Sequence, residues 1–343
     1  MKKTSLRCCG AAFFLLLVAT PALADGSVTV GIYGATSDAP IFVAEKKGYF
    51  QEEGITVKTS SFQSAAMMVP SLGTGQLDVG AGSASAGLYN AVARGIHIRI
   101  VADKASSPPG YGGTKLLVRK ELVDRGRYKS FKDLKGLKIA TSAPGVSNTS
   151  TLNDALKSVG LEYSDIKTVD FGSPMDHVTA LKNGSVDGAA AIEPAPTLAV
   201  EDGSAVVIGT DDVISPYHQL AVLLYSQAFA ARTKIATKFM RAYIRAVRFY
   251  NDALKDGHLI GPTARELISI LTEYTPVKAE IYRKLTPTGI NPNGDVNVHS
   301  LEHDLAFYSE QGLVKEKIKV NELVDMSFAR AAVKSLGPYR KLR

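Results

Sequence analysis

Sliding the chain against itself by 109 residues sets Val28–Asp38 on Leu137–Ser147. It also pairs Phe62 with Phe171, Ser64 with Ser173 and Val69 with Val178, and then Leu72, Gly75 and Asp78 with Leu181, Gly184 and Asp187. Six identities fall within 17 ungapped positions, all in a strand–helix–strand context. One α/β unit used twice predicts two similar lobes, each with its own core, and a cleft between them.

Local patterns agree with that reading. Val28 to Ile32, Ile55 to Val57 and Asp78 to Gly82 read as strands, and Ile96, Ile98 and Ile100 alternate with His97 and Arg99 as a further strand. Pro40 to Lys47 reads as a helix ended by Gly48, and Ser85 to Arg94 as one ended by Gly95. Between them, Ala65, Met68, Val69 and Leu72 mark a helix that Pro70 should kink. The second lobe spans about Val118 to Thr210, with a helix from Asn148 that buries Leu152, Ala155, Leu156 and Val159. Gln219 to Ser226 reads as a strand running back out. Amphipathic helices follow at Thr237–Leu254, Pro262–Leu271, Lys278–Lys284 and His299–Gln311. The first lobe is therefore discontinuous, with crossings expected near Leu117 and Pro216, and two crossings make a hinge.

The N-terminus reads as a secretory signal. Lys2, Lys3 and Arg7 precede the apolar run Ala11–Val18, and Ala22-Leu23-Ala24 supplies the small-x-small cleavage pattern. The run is too short to span a bilayer. The expected organisation is a signal peptide at 1–24, one lobe at 25–117 and 216–343 with the C-terminal helices, and the other lobe at 118–215.

Cleavage after Ala24 would remove three basic and no acidic residues, taking the formal net charge from +7 to +4. It would also remove Cys8 and Cys9, the only cysteines in 343 residues. A chain so processed has no disulfide, thiol nucleophile or thiolate metal site. Its mild positive charge, without basic runs, argues against nucleic acid and suits anionic small solutes.

Two motifs imitate catalytic signatures. Gly80-Ala81-Gly82-Ser83-Ala84-Ser85 follows a strand and opens a helix, as a dinucleotide fingerprint does, but Ser85 replaces the third glycine. What survives is a helix N-terminus suited to an anion or polar group. His299-Ser300-Leu301-Glu302-His303 has the H-x-x-E-H order of a zinc peptidase class, yet only 40 residues remain after it for a further ligand. The chain has no G-x-S-x-G, P-loop, H-E-x-x-H or C-x-x-C. No cofactor, metal or catalytic residue is expected.

Ala39-Pro40-Ile41-Phe42-Val43-Ala44-Glu45-Lys46-Lys47-Gly48-Tyr49-Phe50, followed by Glu53-Gly54-Ile55-x-Val57, resembles the opening of periplasmic solute-binding proteins of ABC importers. The group it resembles is the sulfonate/taurine/nitrate type, which also includes binders of thiamine-pyrimidine precursors. Gly75-Gln76-Leu77-Asp78-Val79-Gly80, Leu134-Lys135-Gly136-Leu137-Lys138-Ile139-Ala140, and Asn183-Gly184-Ser185-Val186-Asp187-Gly188-Ala189 with Glu193-Pro194 resemble its later signatures, in order. The resemblance runs from about Val28 to Lys255. It implies the type II periplasmic-binding-protein fold, in which two α/β lobes joined by two hinge strands hold a ligand between them. It also implies a monomer that delivers its ligand to an inner-membrane ABC permease with its ATPase.

Carried onto this chain, the resemblance implies contacts from strand ends and helix N-termini. In the first lobe these are Ser37 and Asp38, Gln63 and Ser64, then Ser83 and Ser85. In the second they are Ser142, the helix-opening Ser147, Asn148 and Thr149, then Ser173 and Glu193. Tyr217 and His218 lie at the return hinge, and Tyr111, in a Gly/Pro-rich loop, could cover the cleft. Ser147, Asn148 and Asp38 could equally cap helices. Asp78 and Asp187 read as turn holders, and His218 as a satisfied hinge residue if it is not a ligand. Hydroxyls and helix N-termini favour an oxyanion such as a sulfonate, carboxylate or nitrate, whereas Glu193 and Asp38 could accept hydrogen bonds from an amine or aminopyrimidine. These segments hold no arginine, a departure from members that clamp their anion with one, and the expected ligand is a small organic anion or zwitterion. The alternatives are an enzyme on the same scaffold, related to thiamine-pyrimidine synthesis, and a sensory partner that presents ligand to a receptor.

Overall fold

The computed structural model describes residues 26–342, so the expected signal peptide lies outside the described residues. The chain forms β1 (Ser27–Ile32), β2 (Thr56–Ser61), β3 (Val79–Gly82) and β4 (Ile98–Ser106), then β5 (Thr114–Arg119), β6 (Lys138–Thr141), β7 (Lys167–Asp170), β8 (Gly188–Ile192) and β9 (Ala205–Thr210), and last β10 (Gln219–Ser226). These strands make two five-stranded sheets, ordered β2-β1-β3-β10-β4 and β7-β6-β8-β5-β9. In both, the first three strands run parallel to one another and the remaining pairings are antiparallel.

The 109-residue offset is preserved in the hydrogen-bond register. Thr29 pairs with Lys58 and Lys138 with Lys167; Val30 pairs with Val79 and Ile139 with Gly188. Sequence explains the strand order. β10 (QLAVLLYS) is buried at every position, as a central strand covered on both faces must be. β2 (TVKTSS) is mostly exposed and polar, as suits an edge strand.

Helices α1 (Ala39–Lys46), α2 (Ala65–Gly73) and α3 (Ala86–Ala93) belong to lobe 1, and α4 (Ser147–Lys157) and α5 (Pro174–Lys182) to lobe 2. Pro40 sits in the first turn of α1, where its missing N–H costs nothing, and Gly48 just beyond adopts φ 73. The chain then returns to lobe 1 with α6 (Thr233–Ala253) and α7 (Val298–Glu310). The apolar stripe of α6 buries Phe239, Met240, Tyr243, Val247 and Tyr250 in the largest core, and Phe239 stacks on Phe50 at 5.0 Å. Truncating a ring so placed typically costs about 3–5 kcal/mol. A final helix, Ser327–Leu336, packs on the same core and was not anticipated from the sequence.

The outgoing crossing differs from expectation. Leu117 lies inside β5 and pairs with Ala189 and Val207, within the second sheet. The chain therefore leaves lobe 1 between Ser106 and Thr114, because the apolar run Leu116–Val118 completes the second core rather than spanning a gap. The return falls between Thr210 and Gln219. The two crossings lie side by side: Tyr217 N–H donates to Ser107 O (2.9 Å) and Ser107 N–H to His218 O (3.1 Å). Among the described residues no helix is long and apolar enough to cross a membrane.

Candidate functional site

The lobes meet around a partly open cavity of about 40 Å³. Lobe 1 supplies most of its wall: Tyr33 and Ser37 after β1, Ser64 and Ala65 at the start of α2, Ser83 after β3, and Lys104 on β4. Leu220, Ala221 and Thr288 add to that side. Lobe 2 closes it with Gly113, Ser142, Val146 and Ile192. Gly82 lets the N-terminus of α2 come this near, since a Cβ there would stand 2.5 Å from the Ala65 Cβ.

A charged pair anchors the lobe 1 wall. Lys104 Nζ lies 2.9 Å from Asp38 Oδ1, both side chains being almost fully buried, and donates to Ser37 Oγ at 2.7 Å. The other Asp38 oxygen accepts the N–H groups of Tyr33, Gly34 and Ala35, which fixes the turn after β1. An ammonium has three donors. Two are directed at Asp38 and Ser37, leaving one for a molecule in the cavity.

The hydroxyls also have protons to give. Ser142 Oγ accepts from Tyr33 Oη and from Asn148 Nδ2, each at 3.0 Å, so its own proton is free. Ser37 Oγ accepts from Lys104, and Ser64, the N-cap of α2, makes no capping bond. Ser83 bonds Ser147 Oγ across the cleft (3.0 Å) and donates to Leu220 O. No carboxylate lines this cavity.

Of the residues expected to touch ligand, Ser37, Ser64, Ser83 and Ser142 line the cavity. Asp38, Ser147 and Asn148 stand just behind and hold those that do. Thr149 bonds back to Val146 O, and Ser85 and Ser173 cap α3 and α5. Gln63 is exposed, and a Cβ on Gly172 of the other lobe would stand 2.7 Å from its Cβ. Glu193 is buried against Lys115 (2.7 Å) with Thr197 Oγ1 donating to it. Burial pushes its carboxyl above the usual range despite that lysine. Tyr111 and Tyr217 face a different cavity, on the far side of the hinge.

Tyr33, Thr36, Lys104 and Thr288 also line the cavity and were not among the expected residues. Two of them had left a signal. Tyr33 is the 109-residue mate of Ser142, and Asp103-Lys104 interrupts a strand that is otherwise apolar or small. Thr288 sits in a loop with no pattern to mark it.

The chain matches the NMT1-like family over residues 22–258. It belongs to that family. This NMT1-like chain is 27% identical over 317 residues to a Bacillus subtilis protein assigned as a candidate aliphatic sulfonates-binding protein, covering 89% of this chain and 88% of that one. It is 30% identical over 212 residues to the nitrate import ATP-binding protein NrtC of Synechococcus elongatus, a match that covers 59% of this chain but spans only 32% of that relative. It is also 29% identical over 154 residues to the 4-amino-5-hydroxymethyl-2-methylpyrimidine phosphate synthase of Schizosaccharomyces pombe, covering 45% and 41% of the two chains. Two solved structures share the fold. The alkanesulfonate-binding protein SsuA of Xanthomonas axonopodis pv. citri bound to MOPS has a TM-score of 0.69 at 19% identity, over 88% of this chain and 98% of its own. The periplasmic nitrate-binding protein NrtA of Synechocystis PCC 6803 has a TM-score of 0.73 at 16% identity, over 90% and 89%.

Outside the cavity, a second polar network joins the lobes of this NMT1-like protein. His218 Nε2 bonds Asp304 on α7 (2.9 Å), and its Nδ1 bonds Thr151 on α4 (3.2 Å). Burial opposes a charge on His218, yet Asp304, Asp211 and Asp154 outweigh it and leave its pKa raised. On the same pair of helices Asp154 bonds His303 (2.9 Å) and Lys157 pairs with Glu310 (2.8 Å). His303 is thus engaged by a carboxylate, and among the described residues no cluster of three or more histidine, cysteine, aspartate or glutamate side chains is grouped as metal ligands would be. Lys284 and Glu201 bridge the lobes elsewhere.

Proposed function

We propose that this chain is the solute-binding component of an ABC importer, a periplasmic receptor that captures a small anion between its lobes and delivers it to a membrane permease with its ATPase. The carrying observation is the imbalance of hydrogen-bonding groups in the cavity. Lys104, Ser37, Ser64 and Ser142 have donors to spare, and no carboxylate lines the wall to receive an ammonium. The N-terminal ends of α1 and α2 approach the same space and favour negative charge. The 40 Å³ interior holds the equivalent of roughly three waters, which suits nitrate or the head of a short sulfonate. Ala35, Val146 and Ile192 give the same wall an apolar side. The sulfonate and nitrate binders that share the fold support this choice of ligand class.

An enzymatic reading has the pyrimidine phosphate synthase as a relative. The cavity wall, however, carries no histidine, cysteine or carboxylate, and Lys104 is engaged by Asp38. A receptor gains from closure only through the ligand's preference for the closed state. A thermal-shift screen against nitrate, methanesulfonate, taurine, benzoate and an aminopyrimidine tests the proposal. An anion at 100 times its Kd should add about 2.7 kcal/mol of stability. A shift with the aminopyrimidine alone would overturn the anion reading, and turnover of a substrate without any shift would overturn the receptor reading.

A further inference from the structure

β4 and β10 separate two cavities. Lys104 lines the front cavity, whereas the adjacent Asp103 lines a second, of about 380 Å³. The same division falls between Leu220 and Gln219, and between Thr288 and Gly289. The β4–β10 pairing is irregular between Gln219 and Val222, so the side chains on either side of that break part to the two cavities, and the second cavity lies across this strand pair from the first. Its wall includes both hinge crossings, with Tyr111 from the outgoing segment and Tyr217 from the return.

Tyr217 has φ 62, a left-handed conformation that bulky residues avoid. It is held there by its N–H donating to Ser107 O (2.9 Å) and by Asn297 Nδ2 donating to its carbonyl (2.8 Å). Its side chain nevertheless stays open to the cavity, the residue being 59% exposed. Strain retained at an exposed aromatic residue points to use of the ring. Behind it lies Asp103, 1% exposed, which accepts from Gln219 Nε2 (2.7 Å), Ser106 Oγ (3.2 Å) and Asn291 N–H (2.6 Å). All three partners are neutral, whereas Asp38 and Glu193 each face a lysine. Burial without a cation pushes the Asp103 carboxyl up to about 6. Asp295 adds a second carboxylate at the wall, and the exposed Lys341 is the one cation among the lining residues.

We propose that this hinge cavity binds a small organic cation, an ammonium head on a short apolar body, held by the Tyr217 and Tyr111 rings and the Asp103 and Asp295 carboxylates. Aromatic faces attract ammonium groups, and the buried carboxylate supplies the charge that its own partners leave uncompensated. An occupant would touch both crossings and the strands that carry Lys104 and Leu220, so it would bias hinge closure. The site stands independently of the anion reading.

Choline and its neutral isostere 3,3-dimethylbutan-1-ol, titrated calorimetrically into the protein at neutral pH, test this. Choline should bind saturably and at least about tenfold more tightly than the isostere, and saturating methanesulfonate should not displace it. Tyr217→Gly, which suits the left-handed backbone and removes only the ring, should weaken choline binding about tenfold. Asp295→Asn, at an exposed position that leaves folding intact, should weaken it as well. Absence of saturable binding, equal binding of the isostere, displacement by methanesulfonate, or unchanged affinity in both variants would overturn the proposal.

Discussion

In lobe 1 the Asp78 carboxylate accepts from Thr29 N–H at 2.8 Å; 109 residues later, in lobe 2, Asp187 accepts from Lys138 N–H at 2.9 Å. The frames match to the residue, down to the side chain that ties the third strand to the first. At the cleft they part. Ser37 and Asp38 of lobe 1 correspond to Val146 and Ser147, and Ser64, which lines the cavity, corresponds to Ser173, which caps α5. Tyr33 and Ser142 are mates as well, and they bond to each other across the cleft (3.0 Å). Both lobes bury a lysine–carboxylate pair, but only Lys104 reaches the cavity; Lys115 is not among its lining residues. Register was kept where it carries the sheets, while the cleft positions diverged into a donor-bearing lobe and a mostly apolar cover.

The two ion pairs offer the strongest test of that division. Lys104→Ala and Lys115→Ala each strand a buried carboxylate, so each should cost about 3–5 kcal/mol in urea denaturation. Only Lys104→Ala should also weaken anion binding by the folded protein. Equal losses of affinity would erase the distinction.

The hinge acids differ next. Asp103 of lobe 1 accepts three close hydrogen bonds, whereas the Asp211 carboxylate, beside the return crossing, is buried with nothing but loose backbone contacts from Thr114 and Asp212. Burial pushes the Asp211 carboxyl from 3.8 up to about 7. The folded state therefore keeps its proton longer than the unfolded chain, and stability falls as pH rises from about 4 to 7. Asp211→Asn should gain on the wild type across that window, by a few kcal/mol at about 1.4 kcal/mol per unit. Parallel melting curves against pH would contradict this.

Smaller effects belong to the bonds between lobes. Tyr33→Phe removes one donor to Ser142 and should cost about 1 kcal/mol of ligand affinity, roughly fivefold by calorimetry. Ser142→Ala should cost more, since it removes a ligand donor and the acceptor of Asn148. His303→Asn should matter least, under about 1 kcal/mol, because the pair is half exposed. Its hydrogen bond to Asp154 raises the His303 pKa above 6.5. That contribution is complete below about 6.5 and is lost as pH rises past the raised value. The wild type should therefore lose melting temperature as pH rises from about 6.5 more steeply than His303→Asn does.

Much of this frame was legible before any coordinates. The repeat carried strand order and register because parallel β-α-β units reuse the same spacing, and the eight residues of β10 matched residue for residue. The crossing near Leu117 was misplaced because an apolar run does not say which sheet it completes. Lys104 went unnoticed because hydroxyls and helix starts were sought at strand ends, whereas this lysine lies within β4 and is neutralised by Asp38 from another element. Pairings that separated in sequence have no periodicity to announce them. The same holds for Tyr111 and Tyr217, whose assignment to the cleft turned on which face of the hinge their backbone presents.

The central claim is that lobe 1 holds an anion through Lys104 while lobe 2 covers it. Calorimetric titration of nitrate and methanesulfonate into the wild type and into Lys104→Met, both verified as folded, tests it most directly. The account predicts one saturable site per chain in the wild type and a loss of about tenfold to a hundredfold in the variant, as expected for a charged hydrogen bond made in a buried site. Undiminished binding by Lys104→Met would contradict it.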